Sequence, residues 1–139
     1  MTRGSGDSVV GETEFLNVDV DVWSAASLQP LIAALGRSVS VHYVGREGRK
    51  YGAHFALTSP PSADRAIRKL AKMIAGLRGE ARRSWTGARR RVFNIGLQAG
   101  TVPHSIEFQV SEAAVQAVAR VGGEIVVTIY GAKRAGPRG

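Results

Sequence analysis

The chain has 139 residues, of which 44% are apolar and none is cysteine. A domain of this size can bury a core of its own, and the lack of thiols excludes disulfides, thiolate metal sites and cysteine nucleophiles. Net charge is +8, all of it in the segment Asp64–Arg91, where ten basic residues face only two acids, Asp64 and Glu80.

Residues 1–13 are rich in Gly and Ser and read as a disordered tail without the apolar stretch of a signal peptide. Residues 131–139 read as a second, loose basic tail, which leaves a single domain over 14–130. No apolar run approaches the roughly 20 residues that span a bilayer, so a cytoplasmic protein with no membrane partner is expected.

Phe15 to Trp23 alternates with period two and predicts a strand, with Leu16, Val18, Val20 and Val22 opposite Asn17, Asp19 and Asp21. Ser24 is placed to cap a helix over 25–35, with Pro30 near its start and Gly36 at its stop. Strands follow over Ser38–Val44 and Arg49–Leu57, joined by the turn Gly45–Gly48 into a hairpin. Ser62 caps a helix from Ala63 to Leu77. Ile67, Leu70, Ala71 and Ile74 form its inner stripe, and Arg65, Arg68, Lys69 and Lys72 its outer one.

Residues 79–91 hold Trp85 and most of the arginines, with room for a short helix before a loop. Arg91–Leu97 and His104–Val110 both alternate and predict strands. Ser111 caps a helix over 112–121, and Glu124–Tyr130 is the last strand. The order β-α-β-β-α-β-β-α-β predicts an α+β fold: a mostly antiparallel sheet of five or six strands with three helices mainly on one face. Strand, capped helix, glycine and strand occur over 16–43 and again over 105–130, which suggests a βαβ pseudo-repeat. Parity puts Val18, Val20, Val127 and Ile129 inside and Asp19 and Asp21 outside.

Two surfaces carry candidate chemistry. Arg82, Arg83, Trp85, Arg89, Arg90 and Arg91 form a basic segment suited to an acidic protein partner, with nucleic acid as the alternative, since an aromatic among arginines can stack bases. The second surface is the polar sheet face, where Asp19, Asp21, His42 and Glu107 are the candidates for a small-molecule or hydrolytic site. No nucleophile elbow, phosphate loop or close His/Glu spacing is present, so no catalytic residue, metal ligand or cofactor is assigned. The reading is of a non-enzymatic bacterial binding module, of immunity or regulatory type.

Residues 14–97 follow the strand order of an RNA-recognition motif, but only Tyr51 stands at a stacking position. Ala53 and Ala56 replace the expected aromatics and Lys50 a glycine, so the stacking platform is largely missing. The open sheet face or an edge strand also offers a route to a homodimer. The stretch Arg91-Val-Phe-Asn-Ile-Gly96, preceded by Trp85 and followed by Gly-Gly-Glu-Ile-Val-Val-Thr-Ile-Tyr130, resembles bacterial domain-of-unknown-function family 4279 over residues 15–130. Asn94 stands where that family often has an aspartate. The resemblance implies no activity, substrate or site residue.

Overall fold

Alternation decides the faces of the first strand. In the computed structural model, which describes residues 11–132, Val18, Val20 and Val22 of β1 (Glu14–Ser24) are fully buried, while Asn17, Asp19 and Asp21 between them are half-buried. The chain continues through α1 (Gln29–Leu35), a 3-10 turn at Gly36–Ser38, β2 (Ser40–Glu47), β3 (Lys50–Ala56) and α2 (Ala63–Ala75). It then forms α3 (Gly79–Thr86), β4 (Arg90–Gln98), α4 (Glu112–Arg120) and β5 (Glu124–Tyr130). The five strands form one sheet in the order β2-β3-β1-β4-β5. All neighbours are antiparallel except β4 and β5, which run parallel. The fold is therefore α+β, with a mixed sheet and four helices among the described residues.

The core is one cluster. It joins Val18, Val20 and Val22 to Phe55 of β3, Phe93 and Ile95 of β4, Leu31 of α1, Ile67, Leu70 and Ile74 of α2, Trp85 of α3 and Val118 of α4. Helix starts follow the expected capping at two sites. The Ser62 hydroxyl accepts the Arg65 N–H, and the Ser111 hydroxyl accepts the Ala114 N–H. Among the described residues, no helix is long and apolar enough to cross a membrane.

Several local expectations are corrected. Ser24 does not cap α1. It is the last residue of β1, paired with Tyr51, and is buried. The helix starts later, at Gln29, with Pro30 in its first turn, where its missing N–H leaves no bond unmade. The hairpin is longer than alternation alone indicated. β2 runs on through Glu47, and the turn is only Gly48-Arg49, with Gly48 at φ 66°, the left-handed conformation such a two-residue turn requires. The short helix in the arginine-rich segment is α3, which raises the helix count from three to four.

The largest correction is His104–Val110, which forms no strand. The parallel pairing of β4 and β5 leaves no slot between them for another strand, and parallel neighbours need a crossover of a dozen or more residues. The segment serves as part of that crossover. Its residues from Thr101 to Gln109 are exposed, so the second half of the pseudo-repeat lacks its opening strand, although its capped helix α4 and its closing strand β5 form. Val127 and Ile129, expected inside, are 52% and 62% exposed. The expected tails at 1–10 and 133–139 lie outside the described residues. Residues 11–13 are tied down, since the Gly11 carbonyl accepts the Thr101 N–H at 2.9 Å and the Thr13 hydroxyl the Gly100 N–H at 3.0 Å.

Candidate functional site

The amphipathic pattern of α2 puts its bases in one place. Its inner stripe is buried, so Arg65, Arg68, Lys69 and Lys72 project outward beside the end of α1. Between the two helices lies a groove of about 1190 Å³, lined by these four, Arg78, Met73, Gly76 and Leu77, and by Ala34, Leu35 and Ser38 opposite. A second recess of about 530 Å³ shares Ser38, Arg65 and Lys69 and adds Arg37 and the loop 57–61. Six cations thus border a continuous depression, and Leu35, Leu77 and Met73 give it apolar patches. Among the described residues, no acid lines either part.

The acid nearest in sequence is already engaged. Asp64 pairs with Arg68 at 2.8 Å and accepts the Ser111 N–H at 2.6 Å, which ties the start of α2 to that of α4. The hydrogen bonds from Ser111, and then the one from Arg68, hold its carboxyl below the usual range. Among the described residues, Arg68 is the only one of the six groove cations in an ion pair.

The segment expected to make contact divides in the fold. Arg82, Arg83 and Arg89 are exposed, and the Arg82 guanidinium reaches back to the carbonyls of Ala75 and Leu77 at 3.5 Å, beside the groove. Trp85 is only 3% exposed; it donates its indole N–H to the Val121 carbonyl at 2.8 Å and meets Phe93 edge to face. It presents no surface on which a base could stack. Arg91 is held internally, donating to the carbonyls of Ala88 at 2.8 Å, Gly122 at 2.9 Å and Trp85 at 3.2 Å. Arg90 lies on the other face of the sheet, paired with Glu124 at 3.1 Å and placed over the Trp23 ring.

On that open face, Asp19 stands 3.9 Å from His42. Burial and the charge of Asp21 raise the Asp19 pKa, and His42 and His54 oppose the rise. Asp21 does not join them. It bonds His54 Nδ1 at 2.8 Å, while His54 Nε2 meets Glu47 at 2.5 Å. The Trp23 indole N–H donates to the other Glu47 oxygen at 3.1 Å. Glu107, in the crossover, is not brought onto this face. Gly52 makes room for the arrangement, since a Cβ there would stand 2.2 Å from the Glu47 carboxylate.

An imidazole with a carboxylate at each nitrogen is favoured as the doubly protonated cation. Burial pulls the His54 pKa down, but the bonds to Asp21 and Glu47 outweigh it and raise the pKa above its ordinary value. The same contact, with help from Trp23, lowers that of Glu47 against the opposing effect of burial. His54 therefore has no free lone pair and cannot act as a base while clamped. Sequence reasoning passed over His54, Glu47 and Trp23. Counting from the turn, which pairs Glu47 with Lys50, puts Glu47 and His54 on one face, but the place of His54 opposite Asp21 depends on the register of β3 against β1.

Among the described residues, no group of three or more His, Asp or Glu is arranged to hold a metal ion. The chain matches no protein-family model, no curated protein and no solved structure.

Proposed function

We propose that this protein is a non-enzymatic binding module, cytoplasmic and of bacterial type, whose α1–α2 groove receives an acidic polypeptide segment. One observation carries the reading: five cations and three large apolar side chains line a single groove with no acid among them. Carboxylates of a partner would meet Arg65, Lys69, Lys72 and Arg78, and its apolar side chains would rest on Leu35, Met73 and Leu77. Phosphodiester backbones are less well matched. Trp85 is buried, Ala53 is turned into the core, and the open face carries Asp19 and Asp21 in place of stacking aromatics. The likeness to family 4279 adds no activity to this reading. A hydrolytic site on the open face is less well supported, because His54 is clamped and Glu107 is elsewhere.

The test is fluorescence anisotropy with a labelled peptide of mixed Glu and Leu, beside a labelled single-stranded oligonucleotide of equal charge. The peptide is expected to bind more tightly. Its affinity should fall steeply between about 0.1 M and about 1 M salt, as the screening length shrinks from ~10 Å to ~3 Å. Lys69→Glu with Lys72→Glu should abolish binding while the circular dichroism spectrum stays unchanged, and Arg89→Glu should weaken it little. Tighter binding of the oligonucleotide, or no binding of either probe, overturns the proposal.

A further inference from the structure

The sheet has two edges, and among the described residues only one is defended against pairing with another chain. β2 carries a register break between Val41 and Tyr43, the charges Arg46 and Glu47, and a Tyr43 hydroxyl folded back onto the Arg46 carbonyl. Bulges and charges of this kind keep an edge from recruiting strands. β5 has no such break. Its seven residues pair with β4 without a break, include no proline or lysine, and carry one charge, Glu124, already paired with Arg90. On the helix side of this strand, Val127 and Ile129 are exposed, and so are Ile106 and Phe108 in the crossover.

We infer that β5 is a homodimer interface: two copies pair their β5 strands antiparallel about a twofold axis at Val127, making one ten-stranded sheet. The strand is complementary to itself in that register. Val127 faces the second copy's Val127, and Ile125 faces the second copy's Ile129. Val126 faces the second copy's Thr128, and Glu124 faces the second copy's Tyr130. Like charges never meet, because the two Glu124 side chains fall at opposite ends of the pair. The twofold runs normal to the sheet, so the helix sides of both copies face the same way, and Val127 and Ile129 gain apolar neighbours across the axis. A symmetric pair of this kind uses one patch twice, which closes the assembly at two chains. The partner is a second copy because the register, the apolar side chains and the charges fit the strand's own sequence.

The lack of cysteine makes a direct test possible. A single Val127→Cys variant of the full chain, mildly oxidised, should form a covalent dimer, whereas Val115→Cys, a comparably exposed position on α4, should not. Light scattering after gel filtration should find a dimer for the native chain at about 100 μM, a concentration that populates even a weak specific pair. Val127→Lys sets two cations face to face on the axis and should give a monomer with an unchanged circular dichroism spectrum. A native chain that is monomeric at that concentration overturns the inference. So does a dimer that survives Val127→Lys, or one that cross-links through Ile106→Cys and not through Val127→Cys. Groove variants such as Lys69→Glu should leave the dimer intact, so this failure and failure of the acidic-segment reading remain distinguishable.

Discussion

The two ends of the sheet are built differently. At one end, the β2–β3 hairpin closes through a two-residue turn and is bolted to β1 by Trp23, Glu47, His54 and Asp21. At the other, β5 is reached through the crossover 99–111, whose apolar side chains stay largely in water, and its own Val127 and Ile129 are uncovered. The first end is held by local pairing and by a polar clamp. The second is held by the β4 ladder and by α4, and much of its apolar surface is left over. With β5 as the proposed dimer interface, chain stability and chain association would depend on different ends of one sheet.

The sharpest way to break this contrast is to truncate one large apolar side chain at each end and measure urea unfolding at low protein concentration. Phe55 is fully buried, and Phe55→Ala should cost about 3–5 kcal/mol. Ile129→Ala, at a position 62% exposed, should stay within about 0.5 kcal/mol. Equal costs would mean that the uncovered end is covered in solution even in the monomer.

Acidity probes the clamp alone. The folded-state pKa of His54 lies above its ordinary 6.5, so the clamp's contribution is complete below the unfolded value and is lost as pH rises through the folded one. The urea midpoint of the native chain should fall over that window by more than that of His54→Gln. In an NMR titration, Glu47→Gln should bring the His54 transition to lower pH. A flat difference between native and His54→Gln proteins across neutral pH would remove the clamp from the account. The smallest effect is expected at Arg90–Glu124, where both side chains are 53% exposed. Arg90→Ala should cost about 0.2–1 kcal/mol, and less at high salt.

The same two ends differ in how far they could be read from sequence. Alternation over Asn17–Trp23 in β1, the Ser62 and Ser111 caps and the inner stripe of α2 depend on neighbours within a few residues and appear where expected, while the hairpin forms with its turn shifted to Gly48-Arg49 and Leu16, beside a register shift, is exposed. His104–Val110 alternates as clearly as β1 but has no partner, because pairing is a tertiary fact that the period does not encode. Trp85 and Arg91 were misplaced for a related reason. Arginine and tryptophan look like surface chemistry in a charged run, and only the packing of α3 against the core turns them inward. The basic stripe on α2 was legible, but the groove was not, since its far wall is the end of α1. Asp19 and Asp21 were placed on the correct face, while their histidine partners depended on strand register.

Arg91 shows what such an inward turn does. Its guanidinium serves carbonyls at the ends of both α3 and α4, where unbonded C=O groups gather partial negative charge. The cation works as a fixed counter-ion to two helix dipoles. The formal net charge counts it as outward charge, although its donors are turned onto the carbonyls of its own chain. The electrostatic potential that an approaching molecule meets is accordingly set by α2 and its flanks, and is narrower and more directional than the formal charge suggests.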